Sequence, residues 1–367
     1  MNKLLKTYMP TLLLVGFVVV ALVSVTRPSS TAPAPSPTRA LIMAPAPPSP
    51  PNVLLNAAGA TFPYPIYSKW FDVYHRLHPD VEINYQSIGS GGGIQQLKAG
   101  TVDFGASDMP LNDKLLSTFH FKIIHFPTVL GAVMPTYNIP GLTQTLNFTP
   151  QALAGIYLGQ IVKWNDPAIA KSNAGVSLPG NNIVVVHRSD GSGTTFVWTD
   201  YLSKVSPEWK SRVGSNTSVN WPVGLGGKGN EGVAGLVKET PYSIGYVELI
   251  YALQTHLPYG TVQNSSGHFI KASLATVTAA ASGAAAKMQN DVRVSITNAP
   301  GANAYPICSF TYLLIPAHIA DATKREIIKG FLHWMLTDGQ KYTEPLAYAS
   351  LPKAVVAIEM KHISEIN

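Results

Sequence analysis

The eight residues Arg188-Ser189-Asp190-Gly191-Ser192-Gly193-Thr194-Thr195 set a cation, small hydroxyl residues and two glycines between two differently patterned segments. Upstream, residues 182–186 are a β-branched run suited to a buried strand; downstream, Val197, Tyr201 and Val205 recur every four residues, as one helix face does. A chain that turns from strand to helix over so few residues is built from α/β units. At such a junction the first helical N–H groups lack intrahelical acceptors and the positive dipole end faces outward, which favours an anion. The same residues read equally as a glycine-rich turn with a Ser/Thr helix cap, and nothing local separates the two readings.

The pattern recurs from Val53 onward, where short apolar strands alternate with amphipathic segments. Residues 81–88 and 102–106 read as strands, and 94–99 as a short helix. Helical patterns follow at 150–158, 196–205 and 232–238. Residues 307–315 read as a strand and 323–337 as a helix that Gly339 can terminate. The Ala-, Ser- and Thr-rich stretch 272–288 reads as a helix or helix pair. With 367 residues and 46% hydrophobic content, the chain is long enough for about two domains with sizeable cores.

Three further stretches carry chemistry. Around Thr61 and Phe62, small residues let a loop backbone approach a ligand, although the prolines at 63 and 65 also suit a helix opening. Ser90 precedes Gly91, Gly92 and Gly93, a sequence able to form a nest of N–H donors or simply a flexible turn. Asp108 sits just past an apolar strand. A carboxylate belongs in an anion site only if the anion carries a proton: an ionised carboxylate accepts hydrogen bonds and so selects a protonated oxyanion. Arg188 can supply a charge-assisted fork to an oxyanion and to Asp108.

Several alternatives fall away. No lysine follows the triple glycine at the phosphate-loop position, and Asp190 occupies the place where a serine nucleophile elbow needs glycine. The cluster from Gly224 to Asn230 matches dinucleotide-fingerprint spacing but follows Trp221-Pro222 instead of a strand, so it reads as a loop at the cleft edge. His75 and His78 read as surface helix residues, and no metal site is indicated. The single Cys308, in an apolar setting, reads as a packed core thiol. A formal charge of +6 spread over only 13% charged residues gives no basis for nucleic-acid binding.

At the N-terminus, Lys3 and Lys6 precede an uncharged apolar run, so residues 1–26 read as a signal peptide or an uncleaved membrane anchor. Residues 27–52 hold nine of the 29 prolines and read as a disordered linker. The positive end would stay in the cytoplasm, leaving the remainder on the outer face of the cytoplasmic membrane or in the periplasm.

Taken together these stretches resemble the phosphate-binding proteins of the bacterial phosphate-specific ABC importer, the PstS family of periplasmic binding proteins. The matching runs are AGATFPYPIYSKW (58–70), VDFGASDMPL (102–111), IYLGQIVKWND (156–166), DGSGTTFVWTDYL (190–202) and WPVGLGGKGNEG (221–232). The resemblance spans roughly residues 56–351; the proline-rich segment and the tail after Pro352 lie outside it. It implies a two-lobed, type II-like α/β binding-protein fold with hinge crossovers, lobe I being residues 53–133 plus 304–367 and lobe II residues 134–303. It also implies an inorganic phosphate site at Thr61, Phe62, Ser90, Asp108, Arg188, Ser192, Gly193 and Thr194, no cofactor, no catalytic step, and a monomeric binding protein. The expected partners are the permease and ATPase subunits of a phosphate ABC importer. At about 1.5–3 kcal/mol for each buried charge-assisted hydrogen bond, losing Arg188 is expected to weaken binding by about tenfold to more than a hundredfold. The chain departs from the family at Gly91, where a second serine is common; the expected effect is a change of affinity, with the Gly91 N–H retained. A phosphatase on the same scaffold and a surface-tethered adhesion or signalling protein are the alternative readings.

Overall fold

The computed structural model describes residues 53–367; the export segment and linker expected at residues 1–26 and 27–52 lie outside the described residues. The strands are β1 (Val53–Gly59), β2 (Val81–Ser87), β3 (Phe104–Ser107), β4 (Ile123–Asn138), β5 (Asn147–Phe148), β6 (Val184–Arg188), β7 (Leu225–Gly227), β8 (Ser243–Glu248), β9 (Thr261–Gln263), β10 (Phe269–Ile270) and β11 (Cys308–Pro316). Eight of them form one sheet in the order β2-β1-β3-β11-β4-β8-β6-β7, and β10-β9-β5 form a small second sheet.

The large sheet joins two parallel triplets. Strands β2, β1 and β3 run parallel at one end; β8, β6 and β7 run parallel at the other. Between them β11 and β4 are antiparallel to their neighbours. Parallel neighbours need crossovers, supplied by helices Tyr64–Leu77, Ser90–Lys98, Gly193–Val205 and Gly229–Glu239. In open α/β sheets ligands bind beyond the carboxyl ends of such strands. Here those ends are Gly59, Ser87 and Ser107 on one side and Arg188, Gly227 and Glu248 on the other.

Strand β4 ties the triplets together. Its residues 123–132 pair with β11 and its residues 133–138 pair with β8. All but its last residue are buried, matching a strand covered on both faces. Pro127 cannot donate to the ladder, and it falls where the register against β11 shifts between Thr311 and Tyr312.

Strand and helix types follow the hydrophobic pattern, while helix starts do not. The helix expected at 94–99 begins at Ser90, that at 196–205 begins at Gly193, and that at 232–238 begins at Gly229. Each misplaced first turn is glycine-bearing, because low helix propensity yields there to close packing. A Cβ on Gly93 would lie 2.5 Å from the Ala58 carbonyl oxygen, so only glycine lets that helix sit on the end of β1. The segment 272–288 is a pair of helices, Leu274–Ala281 and Ala284–Met288. Gly339 does not cap a helix but lies in a 3₁₀ turn, Asp338–Tyr342, where its carbonyl accepts from the buried Trp70 indole at 2.7 Å. The cluster from Gly224 to Asn230, expected as a loop, forms edge strand β7 and the first turn of helix Gly229–Glu239, because residues 225–227 pair with β6. Cys308 is buried in β11, its thiol donating to the Tyr305 carbonyl, and burial pushes its pKa up. His75 and His78 are exposed at the end of helix Tyr64–Leu77.

Candidate functional site

The four sequence-predicted stretches meet between the two parallel triplets. Thr61 and Phe62 follow β1; Ser90 opens the helix after β2; Asp108 follows β3; Arg188 ends β6 and Ser192, Gly193 and Thr194 open the helix after it. A Cβ placed on Gly193 would collide with both the Asp108 carboxylate and the Ser90 hydroxyl. Three separately predicted motifs therefore touch at one glycine. Thr61, Ser90, Asp108, Arg188, Ser192 and Thr194 are all at most 3% exposed. Phe62 is buried too, its ring against Gly131 and its carbonyl accepting from Tyr348.

The donors and acceptors are arranged with one polarity. The Ser90 hydroxyl accepts from the Asp108 N–H at 3.2 Å, and the Ser192 hydroxyl accepts from the Thr195 N–H at 3.0 Å as the cap of its helix. As first-turn amides, Gly193 and Thr194 have N–H groups without intrahelical acceptors. Four hydroxyls, these amides and a guanidinium converge, which is a cradle for an oxyanion.

Asp108 is the exception. Its Oδ1 accepts from the Thr311 hydroxyl at 2.8 Å, and its Oδ2 is buried without a hydrogen-bond partner. Burial pushes its pKa up to about 7, against the opposing pull of the Thr311 hydrogen bond and the Arg188 charge. Its Oδ2 is thus a solitary acceptor among donors, matched to an anion oxygen that carries a proton.

Arg188 is paired differently from the sequence-based expectation. Its fork closes on Asp190, not Asp108: Nε donates to Oδ1 at 2.8 Å and Nη2 to Oδ2 at 2.5 Å. The cause is local, since Asp190 lies only two residues beyond Arg188, in the bend that follows β6. Asp190 also accepts from the Gly229 N–H at 3.0 Å. Although burial opposes it, the Arg188 hydrogen bonds and charge hold Asp190 below the ordinary carboxylate range. Nη1 reaches the Thr194 hydroxyl at 3.3 Å, so of five guanidinium N–H bonds three are used and two remain. Behind this group Tyr246 accepts from the Arg188 N–H at 3.1 Å and its hydroxyl lies 2.6 Å from that of Thr195, with the Trp198 ring stacked on it.

Contacts between the two halves run through both backbone and side chains. The Gly91 N–H donates to the Gly191 carbonyl at 2.8 Å, and a Cβ on Gly91 would stand 2.9 Å from the Gly191 Cα. The Gly91 N–H, expected to remain for an anion, is therefore taken up by protein. Tyr251 donates to the Thr61 carbonyl, and Asn230 donates to the Thr61 hydroxyl from both its backbone N–H and its side chain.

Asp190, Asn230, Thr311 and Tyr246 escape the reading of the sequence as site residues. The two-residue spacing of Arg188 and Asp190 at a strand end was a usable signal for the first. Asn230 follows the glycine that opens a helix, a weaker one. Nothing local marks Thr311, which reaches Asp108 across 203 positions of chain.

A family model described as a PBP superfamily domain matches residues 33–339. The chain is 47% identical to the phosphate-binding protein PstS of Pasteurella multocida, over 82% of this chain and 87% of that protein. It is 40% identical to the PstS protein of Methanocaldococcus jannaschii over 87% of each. Among solved structures, a phosphate-binding protein from Stenotrophomonas maltophilia matches with a TM-score of 0.65 at 18% identity, covering 84% of this chain and 93% of that one. A putative phosphate ABC transporter substrate-binding protein from Clostridium perfringens, with bound phosphate, matches with a TM-score of 0.60 at 17% identity, covering 82% and 100%. At that identity these structures establish the shared fold.

Proposed function

The chain belongs to the PBP superfamily and, within it, to the PstS phosphate-binding proteins, and from that premise we propose that Thr61, Phe62, Ser90, Asp108, Arg188, Ser192, Gly193 and Thr194 hold the phosphate. It binds inorganic phosphate for ABC import. The observation that carries the residue assignment is the lone buried Asp108 Oδ2 facing Ser90 and Gly193 within a ring of donors. Phosphate at neutral pH carries a proton for that oxygen; sulfate does not. Titration calorimetry of the full-length chain at neutral pH is expected to give tight phosphate binding, similar arsenate binding and little sulfate binding. Tight sulfate binding, or none with phosphate, sinks the reading.

Binding needs two lobes that close. The proposed lobes are residues 53–133 plus 304–367 and residues 134–303; the change of partner along β4 after Ala132 supports the boundary. Thr61, Ser90 and Asp108 then belong to one lobe and Arg188 to the other, so closure completes the cradle. The Gly91 to Gly191 hydrogen bond exists only when the lobes meet. Gly91→Ser is accordingly expected to weaken phosphate binding about tenfold through faster release; an unchanged dissociation rate in stopped-flow refutes this.

The partners proposed are the permease and ATPase of a phosphate importer, reached from the outer face of the cytoplasmic membrane, with residues 1–26 as export signal or anchor. The role proposed is capture and delivery without catalysis: among the described residues no histidine hydrogen-bonds a cradle hydroxyl, as a nucleophile would require.

A further inference from the structure

A threonine hydroxyl has one proton and two lone pairs, so it can donate to a ligand or accept from one unless the protein settles the matter. In this cleft the protein settles it through Asn230, which is fully buried. Its Oδ1 accepts from the Glu248 N–H at 2.9 Å. A backbone N–H can only donate, so this bond fixes which end of the amide is oxygen and which is nitrogen.

The amide nitrogen then faces both threonines, donating to the Thr61 hydroxyl at 2.7 Å and to the Thr194 hydroxyl at 3.1 Å. Thr61 receives a second donor, the Asn230 N–H at 3.2 Å, and Thr194 receives the Arg188 Nη1 at 3.3 Å. Each hydroxyl oxygen thus has both lone pairs engaged. Among the described residues neither proton has a protein acceptor, and the side chains are 2% and 0% exposed.

We propose that Asn230 is a positioning residue for phosphate binding: by filling the lone pairs of Thr61 and Thr194 it makes both hydroxyls obligate donors to the anion. The proposal rests on the phosphate reading above and adds a role for a side chain that itself touches no ligand. It also explains why one amide spans two loops from opposite halves of the cleft. Thr194 takes both its donors from its own proposed lobe, whereas Thr61 acquires its orientation only when it meets Asn230. A site assembled this way rejects any ligand presenting donors at those two positions, because both contacts would then be proton to proton.

A double-mutant cycle in the full-length chain tests this with inorganic phosphate as the probe. Asn230→Leu, nearly isosteric and uncharged, is expected to weaken phosphate binding about 30-fold. In a Thr61→Val, Thr194→Val background the same substitution is expected to cost less than threefold, since no hydroxyl remains to orient. A merely structural role would cost as much in both backgrounds, and equal losses overturn the proposal, as does no loss in the parent. Should Asn230→Leu fail to fold, Asn230→Asp keeps the bond to the Glu248 N–H; its carboxylate accepts the threonine protons and turns them away from the anion. Its loss must then be at least tenfold greater with the threonines present than without them, and equality again overturns the proposal. Failure of the unsubstituted chain to bind phosphate would overturn the phosphate reading and this inference together.

Discussion

Arg188→Ala is expected to weaken phosphate binding about a thousandfold, at the upper end of what the sequence suggests. Two effects add. The two guanidinium N–H groups not engaged by protein are lost, at about 1.5–3 kcal/mol each for charge-assisted hydrogen bonds. Asp190, only 12% exposed at its side chain and bound to both Nε and Nη2, then becomes an unpaired carboxylate beside an anion. Breaking a buried pair by removing one partner is strongly destabilising because it strands the other charge. The double variant Arg188→Ala, Asp190→Ala should therefore bind phosphate about tenfold more tightly than Arg188→Ala alone, and should melt at a higher temperature. Calorimetry and thermal denaturation of both check the pair. A double variant no better than the single one would mean that Asp190 contributes nothing beyond its bond to arginine.

That non-additivity illustrates what the sequence displays and what it hides. All four stretches proposed to hold the anion are legible as candidates because each sits at a strand's carboxyl end, where glycine and a small hydroxyl residue break the apolar pattern. The alternation of strand and helix likewise leads to the parallel triplets. What stays hidden is the pairing between stretches. The fork of Arg188 has two acids to choose from, and the choice of Asp190 over Asp108 depends on the course of the bend that follows β6. Thr311 becomes a partner of Asp108 only through antiparallel pairing of β11 with β3. The glycine-rich helix starts are misread for a related reason: local propensity speaks for loop, while the close approach of Gly93 to β1 and of Gly193 to Asp108 is a long-range fact. Residues proposed to face the phosphate are visible from their type and place; residues that hold those residues are not.

Asp108→Asn should reverse the site's one acceptor. The Thr311 hydroxyl that donates to Oδ1 at 2.8 Å can donate to the new amide's oxygen in the same way, and with a fully deprotonated anion in the cleft that orientation is favoured because it presents the NH₂ where Oδ2 stood. A position that accepts a proton from phosphate becomes one that donates to any oxyanion. Phosphate binding should weaken, sulfate binding should appear, and the preference between them should shrink at least a hundredfold in competition calorimetry. The same substitution has a stability signature with a defined sign. Burial raises the Asp108 pKa from 3.8 to about 7. A raised carboxylate pKa contributes stability that is full below its ordinary value and lost as pH climbs through the folded one. In protein stripped of phosphate, the parent should thus lose stability between about pH 4 and pH 7 relative to Asp108→Asn, which has no such proton to release. Each pKa unit corresponds to about 1.4 kcal/mol, so above pH 7 the gap should be on the order of 4 kcal/mol in favour of the variant. Buried Glu359, whose pKa is also raised by burial, titrates in both proteins and cancels in the comparison, whereas buried Glu248 feels the Asp108 charge, so its share of the difference belongs to the loss of that charge. Parallel stability curves from pH 4 to pH 8, or an undiminished rejection of sulfate, would remove Asp108 from the role of selector. Phosphate added back to the parent should close the gap, because an ionised Asp108 that accepts the phosphate proton is no longer a buried charge without a partner.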